Sequence, residues 1–233
     1  MCHKVGNGLQ LCHRHQSSRS GPPPLVIGES KAPASAVIFT HGLGDTAHGW
    51  LDGVRILAVR LPRTRFILPT APVQPVSLNG GMPMPSWYDI QGLPDRADEN
   101  CAGIDESRAV IQRLIESQTS EGLAMDKIIV AGFSQGGALS LYTGLTLKSR
   151  LAGVVCLSGY LPFVKSFMPS PEALATPVLH CHGSADPMVR IDWAEAGQRR
   201  LVELGVQVQW KVYAGLPHTA SYEELVDVAE WMA

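Results

Sequence analysis

"IIVAGFSQGGALSLYT", residues Ile128–Thr143, carries a β-branched apolar run into Gly-x-Ser-x-Gly and out again into helix-forming residues. A triplet of that form arises by chance in roughly one chain in ten of this length, so the bare pattern decides little. Its setting decides more. A strand that turns sharply into a helix needs small residues on both sides of the serine, so that the backbone can take a strained turn and hold Oγ in the open. Gly132, Gly136 and Gly137 supply them. Once the partners found below are counted, Ser134 reads as a nucleophile on a strand-turn-helix elbow rather than as a serine in a core loop.

Outward from the elbow, short β-branched runs alternate with longer amphipathic segments. Residues 36–40, 65–69, 127–132, 151–159, 177–183 and 206–213 read as strands, most of them apolar enough to be covered on both faces. Residues near 48–60, 103–118, 136–148, 191–204 and 221–232 carry helical spacing, with Ile104, Ile111, Leu114 and Ile115 marking one stripe. Strand alternating with helix predicts an α/β fold with a mainly parallel sheet flanked by helices. Residues 70–100 break the rhythm with five prolines and the pair Gly80–Gly81. A loop of that length carrying Met82, Met84, Trp87 and Tyr88 is expected to be a functional cover, or lid.

The 233 residues are 45% hydrophobic and 17% charged, with a net charge of −2. That suits one domain over residues 24–233. Nothing in the charge balance suggests a polyanion partner, so no nucleic-acid partner is expected. There is no apolar run long enough to span a bilayer and no secretory h-region, and five scattered cysteines fit reduced thiols in a cytoplasmic protein. Residues 1–23 read as a mobile, slightly basic extension. Cys2, Cys12, His13 and His15 have ligand chemistry but no tetrahedral spacing, so no metal is expected. Cys2, directly after Met1 in a basic segment, is an alternative acceptor for a fatty acyl chain.

A serine hydroxyl needs a base, and the base needs an anion, in the chain order Ser, acid, His. His218 in "GLPHTA" lies in a loop between the last strand and the last helix, whereas His180 and His182 fall inside a strand as core histidines. Asp186 in "CHGSADPMV" follows a strand end; Asp192, Glu195 and Glu203 belong to a solvated helix face. For the oxyanion, the N–H of Gln135 is one expected donor and that of Leu43, in "THGLGD" after an early strand, the other. His41 is expected to brace that loop, and Asp45 to form a turn.

"VIFTHGLGDTAHGW", "MPSWYDI", "GFSQGGALSLYTGL", "LSGYLP", "CHGSADPMV" and "GLPHTA" together resemble the successive blocks of the acyl-protein thioesterases, the phospholipase/carboxylesterase family of α/β-hydrolases. The resemblance implies cofactor-free hydrolysis of long-chain acyl thioesters on protein cysteines through an acyl-enzyme on Ser134, with Asp186 and His218 completing the triad. The alternatives are a lysophospholipase or general carboxylesterase, and a non-catalytic ligand-binding protein of the same fold. It also implies an acyl channel under the cover, placing Leu78, Met82, Met84 and Trp87 on one wall, with Tyr160, Met188 and Trp193 near it. Several members of the family begin Met-Cys and are acylated there, which implies membrane contact through Cys2 and the cover. The sequence sets no oligomeric state between monomer and weak dimer.

Overall fold

The computed structural model describes residues 21–29, 31–92 and 99–233. Cys2, Cys12, His13 and His15, the extension up to residue 20 and the 93–98 part of the cover lie outside the described residues. Strands β1 (Leu25–Gly28), β2 (Ser35–Thr40), β3 (Thr64–Leu68), β6 (Ile128–Phe133), β7 (Gly153–Leu157), β8 (Val178–Gly183) and β9 (Val208–Tyr213) form one sheet in the order β1-β3-β2-β6-β7-β8-β9. β1 runs antiparallel at one edge, and every other pairing is parallel.

Six of these strands coincide with the expected runs. β1 does not, because "LVIG" is only four residues long and alternates half-buried with exposed, a weak signal beside the fully buried central strands. The cover has structure of its own: β4 (Val73–Val76) and β5 (Met82–Pro85) form a two-stranded antiparallel ribbon. "VQPV" and "MPMP" do not read as strands because proline cannot donate to a ladder, and an isolated ribbon is the setting that tolerates it. The turn between them places Gly80 and Gly81 at φ +64° and +81°, a backbone that favours glycine.

Side-chain alternation sorts the helices onto the two faces. Val37 and Phe39 on β2, Ile129 and Ala131 on β6, and Val155 and Leu157 on β7 point to one side. There they meet helices α1 (Leu51–Arg60) and α5 (Tyr222–Met232) through Val54, Leu57, Leu225 and Val228. Ile38, Ile128 and Val130 point the other way, toward α2 (Ile104–Ser120) and α3 (Gln135–Thr146). Val154, Cys156 and Val178 on that face meet α3 and α4 (Ile191–Glu203) through Leu141, Leu145 and Leu201. Ile104, Ile111 and Ile115 form the buried stripe of α2, each contributing about 1.5–3 kcal/mol by leaving water, while Leu114 is only partly covered. Helix α3 is enclosed: of its residues only Tyr142 and Thr146 are not fully buried. The turn at its N-terminus is therefore anchored in the core from the helix side. Cys101, Cys156 and Cys181 are buried, the last two as free thiols.

Candidate active site

The elbow is built by close approach of backbone to backbone. Ser134 sits between β6 and α3 at φ 55°, ψ −119°, and its N–H donates to Leu157 O at 2.8 Å. A Cβ on Gly132 would lie 2.3 Å from Thr40 Oγ1, and one on Gly136 would lie 2.2 Å from Thr40 O, so neither site admits a side chain. At Gly137 it would meet Cys156 Sγ at 3.0 Å. Thr40 is the pin of this turn, with its buried hydroxyl 2.9 Å from Gly136 O and 3.1 Å from both Ala131 O and Ser140 Oγ. Sequence reasoning passes over Thr40; its one signal is a hydroxyl at the end of an otherwise apolar strand beside the "HGLGD" loop.

Three loops converge at the serine. His218, in the loop between β9 and α5, lies with Nε2 2.9 Å from Ser134 Oγ and Nδ1 2.6 Å from Asp186 Oδ2. A carboxylate only accepts, so Nδ1–H donates to Asp186 and Nε2 is left to accept the serine hydroxyl. Asp186 is itself fixed, since its Oδ1 accepts from the amides of Met188 at 2.8 Å and Val189 at 2.9 Å. Burial pushes its pKa up, but the His218 hydrogen bond and those two amides outweigh burial and hold it below the ordinary carboxylate value. The acid and histidine loops are laced together by Ala185 N–H to Leu216 O at 3.1 Å and Gly215 N–H to Ser184 Oγ at 2.8 Å.

His180 and His182 are both buried in β8. His182 donates from Nε2 to Val189 O at 2.8 Å and stands 3.6 Å from Asp186 Oδ2 as a neutral ring, its pKa lowered mainly by burial. Burial lowers His180 to about 3, and it meets Trp210 edge-on at 4.8 Å. Neither Nδ1 has a partner among the described residues.

His41 braces the loop after β2. Its Nδ1–H donates to Gly42 O at 2.7 Å and its Nε2 accepts from Ala71 N–H at 3.0 Å, which fixes a neutral tautomer; burial lowers its pKa. Asp45 Oδ1 accepts from Thr46 N–H at 2.7 Å, the turn-forming contact expected of it. A Cβ on Gly42 would sit 3.4 Å from Ser134 Cβ, which brings the Leu43 loop against the nucleophile side of the elbow. Leu43 N–H and Gln135 N–H have no acceptor among the described residues. As the first amide of α3, that of Gln135 is one of the unsatisfied donors every helix presents at its start.

The residues expected along an acyl channel fall into three settings. Trp87 and Tyr160 are fully buried, and their polar atoms are engaged: Trp87 Nε1–H donates to His41 O at 2.8 Å, and Tyr160 OH meets Tyr88 OH at 2.7 Å and Glu99 Oε2 at 3.1 Å. Leu78 and Trp193 are partly buried against the same cluster as Leu43. Met82 and Met188 are exposed, while Met84 is intermediate, with its sulfur 3.7 Å from where a Cβ on Gly44 would be. The cover is tied directly to the elbow by the Gln135 side chain. Its Oε1 accepts from Trp87 N–H at 3.0 Å, and its Nε2–H₂ donates to Ser86 Oγ at 3.0 Å and Tyr88 O at 2.7 Å. This clamp was not legible in the sequence, where Gln135 appears only as the residue after the serine.

No group of three or more potential metal ligands occurs among the described residues, and no helix among them is long and apolar enough to cross a membrane. The arrangement suits activation of a hydroxyl nucleophile and stabilisation of an oxyanion.

The family model described as Phospholipase/Carboxylesterase matches residues 23–233. The chain is similar to acyl-protein thioesterase 1 of Neurospora crassa, 40% identical over 221 residues covering 90% of each chain. It is also 40% identical over 219 residues to acyl-protein thioesterase 1 of Yarrowia lipolytica, covering 90% of this chain and 96% of that one. Among solved structures, acyl-protein thioesterase 2 of Zea mays superposes with a TM-score of 0.80 at 29% identity, over 91% of this chain and 97% of that one. SOBER1 of Arabidopsis thaliana gives 0.78 at 32% identity, over 85% and 97%.

Proposed function

The chain belongs to the phospholipase/carboxylesterase family of α/β-hydrolases, and on that premise we propose that it is an acyl-protein thioesterase, a serine hydrolase that removes long acyl chains from protein cysteines. The observation that carries the reading is the continuous relay from Ser134 through His218 to Asp186, at 2.9 and 2.6 Å, on a turn that holds the serine at φ 55°.

Ser134 Oγ attacks the thioester carbonyl while its proton passes to His218 Nε2, and Asp186 stabilises the imidazolium so formed. The oxygen of the tetrahedral intermediate accepts hydrogen bonds from Leu43 N–H and Gln135 N–H. Collapse breaks the carbon–sulfur bond, and His218 returns the proton to the departing sulfur. Water, activated by the same histidine, then attacks the acyl-Ser134 ester and releases the fatty acid. The chain needs no cofactor for any of these steps. Leu43, Leu78 and Trp193 line the side of the site on which the acyl chain rests, with Met84, Met82 and Met188 toward its mouth; thioether side chains suit chains of several lengths.

The test is release of palmitate from an S-palmitoylated peptide, expected with the wild type and abolished in Ser134→Ala. The family description also names phospholipases, so lysophospholipid hydrolysis is measured in parallel. A higher kcat/KM on the lysolipid than on the matched acyl-cysteine peptide overturns the protein-directed reading while leaving the nucleophile in place.

A further inference from the structure

The apolar residues around the Ser134–His218 pair divide between two clusters on opposite faces of the sheet. Leu43, Leu78 and Trp193 pack with the cluster under the cover. Trp50, Ile56, Phe133 and Ala220 pack with the cluster beneath α1 and α5. On this second side an open cleft of about 400 Å³ adjoins His218, lined by Trp50, Ile56, Phe133 and Tyr222 together with Asp45 and Asp52. The rings of Trp50, Phe133 and His218 run in sequence, with centroids 5.1 and 4.8 Å apart.

We propose that this cleft receives the leaving-group side of the substrate, the polypeptide around the acylated cysteine, while the acyl chain lies on the opposite side under the cover. The inference rests on Ser134 and His218 acting as nucleophile and base. When the intermediate collapses, the electron pair of the breaking carbon–sulfur bond goes to sulfur, and the proton taken from Ser134 passes from Nε2 to that sulfur. The sulfur therefore lies within hydrogen-bond reach of Nε2, and the chain it belongs to departs past the imidazole ring. His218 is itself one of the residues lining the cleft. The cleft's chemistry suits a peptide better than a hydrocarbon: an aromatic and aliphatic floor can hold a flanking side chain, and the Asp45, Asp52 and Tyr222 oxygens among its lining, which already accept from the Thr46 amide, Arg55 and Arg60, are acceptors for polar or basic groups rather than methylenes. Asp52 already pairs with an arginine, Arg55, at 2.9 Å in the open, the kind of contact a basic flanking residue would make.

The experiment compares two thioesters with the same octanoyl chain, one on a cysteine peptide and one on N-acetylcysteamine, and adds the acetyl thioester of N-acetylcysteamine to read acyl length. Ile56→Trp fills the cleft and is expected to lower the peptide-to-small-thiol ratio of kcat/KM about tenfold, the scale of a few lost apolar contacts, with the octanoyl-to-acetyl ratio unmoved. Tyr222→Ala, at a position 64% exposed and safe for folding, shifts the same ratio in the same direction by about threefold. A peptide-to-small-thiol ratio unmoved in both variants overturns the proposal, and so does an octanoyl-to-acetyl ratio that moves as far. If Ser134→Ala still turns over the small thioesters, the assignment of the nucleophile fails instead, independently of where the peptide lies.

Discussion

The hydrogen bonds of Trp87 reach both halves of the proposed oxyanion hole, through its indole N–H to His41 O and its backbone N–H to Gln135 Oε1. Fully buried, this residue sets the spacing between the Leu43 loop and the start of α3. Trp87→Phe keeps most of the ring and deletes the indole donor, leaving the His41 carbonyl buried and unpaired. It is expected to cost about 1–2 kcal/mol of stability and to lower kcat/KM about tenfold to a hundredfold, equally for acetyl and long-chain thioesters. Loss confined to long chains would assign Trp87 to the acyl wall, as the sequence suggests. At Asp186, conversion to Asn gives the His218 Nδ1–H no carboxylate to meet. Steady-state kinetics should show kcat lower by about 10⁴-fold with the fold intact by circular dichroism. That Ser134, His218 and Asp186 would lie in one hydrogen-bonded series was legible because the proposed triad has a fixed order along the chain on this fold. The role of Trp87 was not, since its partners lie 46 and 48 positions away and one of them is a backbone carbonyl.

Among the described elements, the central strands announce themselves through fully buried runs, α3 through the small and apolar residues that follow the elbow, and the other α-helices through a 3.6-residue period. The peripheral pieces do not: β1 is a half-exposed edge, and the proline-bearing ribbon β4–β5 takes its form from what it covers. Where β5 ends, Gly44 N–H donates to Pro85 O at 2.8 Å, so the ribbon abuts the loop that carries Leu43. The elbow itself is limited by sterics. Gly136→Ala drives a methyl to 2.2 Å from a backbone oxygen and is expected to destabilise the fold by about 3 kcal/mol in urea unfolding, with loss of fluorophosphonate labelling at Ser134. Gly137→Ala meets the Cys156 sulfur at 3.0 Å and the backbone oxygens of Gly132 and Leu157 at 3.1 and 3.2 Å, a smaller overlap than at Gly136, and its cost should be about 1–2 kcal/mol.

Over the whole molecule, stability has a pH dependence that originates far from solvent. Glu224 closes the capping box of α5 with Ser221 but is fully buried, and burial pushes its pKa from 4.5 up to about 7. Between those values the unfolded chain ionises while the folded one does not. The associated stability is therefore intact below pH 4.5 and lost as pH rises through about 7, amounting to about 3 kcal/mol. Asp186 has the opposite sign: its depressed pKa adds stability above 3.8 that is lost as pH falls. Thermal melts of Glu224→Gln, which keeps the capping geometry, should show a smaller drop in Tm from pH 5 to pH 8 than the wild type. The same burial bears on the thiols beneath the site. An acylated serine is an ester that any nearby thiolate could intercept, and Cys156 lies directly under Gly137 of the elbow. Burial pushes Cys156 well above the ordinary thiol range and Cys181 up to about 12, so at neutral pH neither presents a sulfur anion to rival water. The folded enzyme should stay free of acyl groups at these two cysteines through many turnovers, as intact-protein mass spectrometry can establish, with the sheet acting as insulation against self-acylation.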